Sequence, residues 1–152
     1  MTVRLRAHHL LCMLTYVGRG YSPAFTAGYE RVVRRIASGE PLMVVDGPDD
    51  ICAPLLDEEE EPHCLKDGAA TRDRHAATSL ARLLDHPVVA GTTPAANAAL
   101  LARLRKAFSS GRLRRACIGC QWSRLCSSVA EQDYAGAHLA PPRDFPRTSS
   151  KE

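Results

Sequence analysis

Residues Ser22 to Gly39 read SPAFTAGYERVVRRIASG, and this stretch decides the fold class. Ser22 can cap a helix with its hydroxyl, and Pro23 suits the first helical position, where its missing N–H costs nothing. Phe25, Tyr29, Val32, Val33 and Ile36 then recur at three- and four-residue steps and line one helical face. Gly39 ends the helix.

Four more segments carry the same period. Val3 to Val17 sets Leu10, Leu14 and Val17 on one side and reads as a helix. Thr71 to Asp85 does the same with Ala76, Leu80, Leu83 and Leu84. Thr93-Pro94 repeats the cap-then-proline signal and opens a helix whose inner face is Leu100, Leu101, Leu104 and Phe108, stopping near Gly111. A last helix begins near Trp122 and passes through Leu125 and Val129. Met43-Val44-Val45, bounded by Pro41 and Gly47, reads as a short strand, with Val88-Val89 as a weaker partner. The expectation is a mostly α domain of about five helices with a short two-stranded β element and a cysteine-rich metal site. One domain should cover residues 1–140, followed by a flexible tail, 141–152, rich in Pro, Ser and charge.

The 152 residues are 45% hydrophobic but only 5% aromatic, so the core must be aliphatic. No apolar run approaches the roughly 20 residues of a membrane helix. Arg4 and Arg6 precede a short apolar run, as in a signal peptide, but His8 and His9 interrupt it and no small-residue cleavage site follows. The reading is therefore cytoplasmic, where thiols stay reduced and six clustered cysteines point to metal ligation or catalysis rather than disulfides.

The strongest chemical signal is Cys117-Ile-Gly-Cys120, with Cys126 six residues further on. A C-x-x-C turn brings two thiolates to one centre, and Gly119 allows the tight turn. Cys126 returns from the following helix, so three soft ligands suit zinc or an iron–sulfur cluster. A fourth must come from elsewhere, and Cys52 and Cys64 are the natural suppliers, with His63 allowing a mixed set. The plainer alternative is that all five are small buried hydrophobes. A thioredoxin-like use of Cys117 and Cys120 is disfavoured because the motif follows a helix and not a strand.

His8, His9 and Cys12 form a second signal. Steps of four and three can share a helical face, making a metal or catalytic set, or simply a half-buried helix with satisfied histidines. A third is the basic run Arg103, Arg105, Lys106, Arg112, Arg114 and Arg115. It lacks interleaved aromatics, and the formal net charge is only +3, so it reads as a solvated face and nucleic acid is not the expected partner. Asp57 to Glu61 lacks calcium-loop spacing and reads as a solvated loop.

Four segments carry a resemblance: Arg4-Leu-Arg-Ala-His-His-Leu-Leu-Cys12, Gly20-Tyr-Ser-Pro-Ala-Phe25, Val45-Asp-Gly-Pro-Asp-Asp-Ile-Cys52 and Cys117-Ile-Gly-Cys-Gln-Trp-Ser-Arg-Leu-Cys126. Together they resemble a family of small bacterial and archaeal proteins known as a domain of unknown function, DUF1284, whose members are described from their cysteines as iron–sulfur-binding. The resemblance implies an iron–sulfur cluster, 2Fe–2S or 4Fe–4S, ahead of zinc, with ligands among Cys52, Cys64, Cys117, Cys120 and Cys126. It also draws His8, His9 and Cys12 into the motif. The family pattern carries a second cysteine just after the one matching Cys52, and here the stretch is Cys52-Ala-Pro-Leu. The leading expectation is a cluster for electron transfer, sensing or structure, with a redox or protein partner. The alternatives are a zinc-stabilised module binding nucleic acid or protein, and a thiol enzyme using Cys12 with His8 or His9.

Overall fold

The computed structural model describes residues 2–18, 22–47, 49–53, 67–95, 97–117 and 123–139. Cys64, Cys120, His63, the acidic run 57–61 and the tail 141–152 lie outside the described residues. The chain is mostly helical, with five α-helices and a two-stranded parallel sheet among the described residues.

The N-terminal segment is not the single helix its period suggests. Val3–Arg6 is strand β1, α1 covers only His9–Cys12, and Met13–Thr15 continues as a 3-10 turn. The alternation Val3-Arg4-Leu5-Arg6 carries the strand period of two. What selects it is strand β2, Leu42–Val45, which runs parallel to β1 with Val3 opposite Leu42 and Arg6 opposite Val45. Parallel neighbours need a long crossover. Here it is α1 followed by α2, Pro23–Ala37.

Helix α2 forms as its sequence dictates. The Ser22 hydroxyl accepts from the Phe25 amide at 3.1 Å, and Phe25, Tyr29, Val32, Val33 and Ile36 are all buried. Gly39 takes the left-handed backbone, φ +96°, that closes the helix. Arg35 ties α2 to the sheet, donating to the Thr2 carbonyl at 3.1 Å and to Asp50 at 3.4 Å.

The outer edge of β1 is satisfied by side chains. Asp50 Oδ2 accepts from the Arg4 amide at 2.9 Å and Asp49 Oδ2 from the Arg6 amide at 2.8 Å. On the far edge of β2, Val44 donates to the Thr92 carbonyl at 2.7 Å and accepts from the Gly91 amide at 2.8 Å. The segment containing Val88 and Val89 thus does reach β2, but the contact runs through Gly91 and Thr92.

Helix α3 is Asp67–Leu84, α4 is Ala98–Ser109 and α5 is Ser123–Glu131. Thr93-Pro94 does not start α4. Asn97 does, its side chain accepting from the Leu100 amide at 2.8 Å. Asn97→Ala should therefore lower stability by about 1 kcal/mol, read as a lower urea midpoint at unchanged slope; an unmoved midpoint would show that the cap is dispensable. Leu80 of α3, Leu101, Leu104 and Phe108 of α4 and Val129 of α5 close on Leu5, Leu11, Met13 and Leu14 in one largely aliphatic core.

Candidate thiol and histidine site

Helix α1 is one turn long, yet it carries the polar residues around which the site is built. His8 Nδ1 lies 2.7 Å from Asp73 Oδ1, and His9 Nδ1 lies 2.7 Å from Asp49 Oδ2. The two rings are neighbours, 4.4 Å between centroids and tilted by 56°. Two carboxylates from distant segments thus fix two adjacent imidazoles through Nδ1. In the neutral tautomer each Nε2 then carries a lone pair, the arrangement used both for metal ligation and for proton transfer.

Asp73 sits on α3 and also accepts from the Arg6 guanidinium at 2.8 Å and the His8 amide at 3.1 Å. Arg6 is 2% exposed and the Asp73 side chain 18%, so the pair is largely withdrawn from water on its arginine side. Burial pushes the His8 imidazole down to about 4, the neighbouring His9 adds to this, and Asp73 opposes without prevailing. His8 is therefore neutral at pH 7.

Asp49 is the more enclosed carboxylate, its side chain fully buried. Its Oδ1 accepts from the Ile51 and Cys52 amides, each at 3.0 Å, in an Asx turn. Burial alone would raise its pKa. The charge and hydrogen bond of His9, with the Arg6 and Cys52 amides, outweigh that and hold it well below the usual carboxylate range. Cys52 is buried against this turn, with Sγ 3.2 Å from Asp49 Oδ1 and 3.1 Å from the Asp49 amide.

Cys126, half-buried on α5, faces the N-terminal segment, where its Sγ accepts from the Thr15 hydroxyl at 3.0 Å. That hydroxyl also lies 3.4 Å from the Cys12 carbonyl. Cys117 closes the 3-10 turn Arg115–Cys117, which packs on α3. Arg114, just before the 3-10 turn, is tied to the start of α5. Its guanidinium donates to the Ser123 carbonyl at 3.2 Å, Ser123 Oγ at 3.1 Å and Ser127 Oγ at 3.0 Å, and rests 4.5 Å from the Phe108 ring centre. Arg103 and Arg105 likewise donate to the Leu83 and Leu139 carbonyls. Half of the basic run therefore staples helices and loops.

Of the residues singled out by sequence, His8, His9 and Cys12 lie together on and beside α1, Cys126 meets Thr15 three residues beyond Cys12, and Cys52 meets Asp49, which also holds His9. Among the described residues, no group of three or more His, Cys, Asp or Glu is arranged to hold a metal ion. Thr15 and Asp73 carry no such signal in the sequence, and Arg6 and Asp49 fall in the segments of family resemblance without a role that the segments reveal. Asp49 sits in a turn that composition marks, but nothing local distinguishes a turn Asp that caps amides from one that also anchors a histidine 40 residues away.

The fold and site define a small, mostly helical protein with thiols and carboxylate-anchored histidines around one short helix. The family described as "Protein of unknown function (DUF1284)" matches residues 20–126, and the chain belongs to it. No curated protein and no solved structure matches the chain. Among the described residues no helix is long and apolar enough to cross a membrane.

Proposed function

We propose that this protein binds an iron–sulfur cluster, with thiolates from Cys117, Cys120 and Cys126 and a fourth from the N-terminal half of the chain. The observation that carries the reading is the contact of Cys126 Sγ with Thr15, which brings Cys126 against the cysteine- and histidine-bearing N-terminal segment, 111 residues earlier. The donor chemistry fits such a group: Cys117 and Cys126 are soft sulfur ligands, half-buried, with a hydroxyl donating to one of them. A bound cluster supplies reversible one-electron transfer. The chain's part is to hold the sulfurs, with Arg114 keeping α5 in place beside Cys117. As fourth ligand, Cys52 is disfavoured. Its close approach to the Asp49 carboxylate suits a protonated thiol, whereas a thiolate there would meet a like charge.

Purification without oxygen, followed by the visible spectrum with iron, sulfide and zinc contents, tests the reading. Ser at Cys117, Cys120 or Cys126 should each cut metal content and lower the melting temperature, because metal binding is coupled to folding. A full iron complement in the variant lacking all three would sink the assignment. A colourless protein with stoichiometric zinc would assign the zinc-stabilised module instead.

A further inference from the structure

Charge is spread unevenly along this chain. Of its 20 Lys and Arg residues, seven fall between His86 and Ala130, a stretch with no Asp or Glu. The remainder, with 13 cations and all 17 carboxylates, carries a net charge of −4. Cys117 and Cys126 both lie in the basic stretch.

The fold sorts the seven cations. Arg103, Arg105 and Arg114 donate to carbonyls. Lys106 borders a groove that Asp133 also lines. Arg112, Arg115 and Arg124 are exposed, and their side chains have no hydrogen-bond or ion-pair partner among the described residues. These three share one neighbourhood. The Arg112 amide donates to the Ala107 carbonyl at 3.0 Å, which holds the turn on the end of α4. Arg114, between Arg112 and Arg115, bonds Ser123 and Ser127 and so brings the first turn of α5, with Arg124, beside them. The 3-10 turn packs on α3. The one carboxylate of α3 between Gly68 and Leu84 is Asp73, and it is already taken by Arg6 and His8.

A set of like charges without counter-charges attracts and orients anionic partners. Arg115 and Arg124 each stand two residues before a cysteine of the proposed centre, so this positive field lies beside its sulfurs. Electron-transfer complexes are small, and charge complementarity steers them. A single-stranded nucleic acid would instead stack its bases on exposed aromatic rings, and Phe108, the described aromatic residue of the stretch, is buried. We propose that the face carrying Arg112, Arg115 and Arg124 docks an acidic protein that exchanges electrons with the cluster. One electron passes at a time: the cluster is oxidised as the partner is reduced, or the reverse. This rests on the iron–sulfur reading and names the kind of partner it requires.

The test uses the full chain purified without oxygen and titrated with an acidic plant-type ferredoxin by calorimetry at low and high salt. Binding should weaken as salt rises. The double variant Arg115→Gln/Arg124→Gln should bind roughly three- to tenfold more weakly at low salt. Arg31→Gln/Arg34→Gln, which removes the same charge from the exposed side of α2, should bind as wild type does. Equal losses in both variants would mean that net charge alone attracts the probe, and would overturn the inference. So would no binding of the ferredoxin, or binding of duplex DNA in its place. The position of the face is read separately, from oxidation of the reduced cluster by small ions. Rising salt should slow ferricyanide and speed hexaammineruthenium(III); the reverse order would remove the positive face from the cluster. A wild type without iron would sink the cluster reading, and the ferredoxin titration would still decide whether this face takes an acidic protein.

Discussion

Replacing Asp49 with Ala should cost about 3–5 kcal/mol of stability, since each buried donor left without its acceptor costs roughly 1–3 kcal/mol. The carboxylate is fully buried, and five donors converge on it: the amides of Arg6, Ile51 and Cys52, His9 Nδ1 and the Cys52 thiol. Ala leaves them desolvated without an acceptor, which is the costly half of a broken hydrogen bond. The loss also unpins the outer edge of β1 and the ring of His9 at once. Urea unfolding checks this, and a loss below about 1 kcal/mol would mean the donors find other partners. Asp49→Asn should fall between, since its oxygen can still accept while its NH₂ faces donors. The sign of the pH dependence follows. A carboxylate with a depressed folded pKa stabilises the protein above its unfolded value of about 3.9, and that stability drains away as the pH falls below it.

Acidification in a higher window should act through His8. Its folded pKa is about 4 against an ordinary 6.5, with burial as the main cause. Between these values the unfolded chain binds a proton that the native protein does not, so stability rises with pH across the window. Lowering the pH from 6.5 to 4 should therefore remove roughly 2–4 kcal/mol, since a tenfold difference in proton affinity between the two states is worth about 1.4 kcal/mol. The window is separate from that of Asp49 and Asp73, whose depressed pKa values matter only at lower pH. Unfolding free energies measured at half-unit pH steps, for wild type and His8→Gln, would show it. The wild type should lose stability over this range, and the variant should be flatter. A wild-type profile level from pH 6.5 to 5 would contradict the buried neutral imidazole.

Much of the architecture is legible in the chain itself. Ser22, Pro23, the apolar face from Phe25 to Ile36 and Gly39 each act as local rules require, because capping and helical period are set within a few residues of the group concerned. The short strand at Met43-Val44-Val45 and the family motifs are equally local. The start of α4 reads in sequence as Thr93-Pro94, whereas Asn97, four residues on, is the residue whose side chain meets an amide. Strand β1 reads as helix for a different reason. Four residues can satisfy either period, and β2, not the segment's own propensity, provides the hydrogen-bonding edge that decides between them.

The site is legible in sequence only as a set of reactive residues. The sequence by itself determined a helical chain with thiols at Cys117, Cys120 and Cys126 and imidazoles at His8 and His9. Tertiary structure alone decided that Asp73 anchors His8 across 65 residues, that Asp49 anchors His9 across 40, and that Thr15 meets Cys126 across 111. Spacing along the chain governs what one helix can present, but burial governs which polar groups must find each other. A buried carboxylate, imidazole or hydroxyl takes the partner that packing brings, however far away in sequence that partner lies.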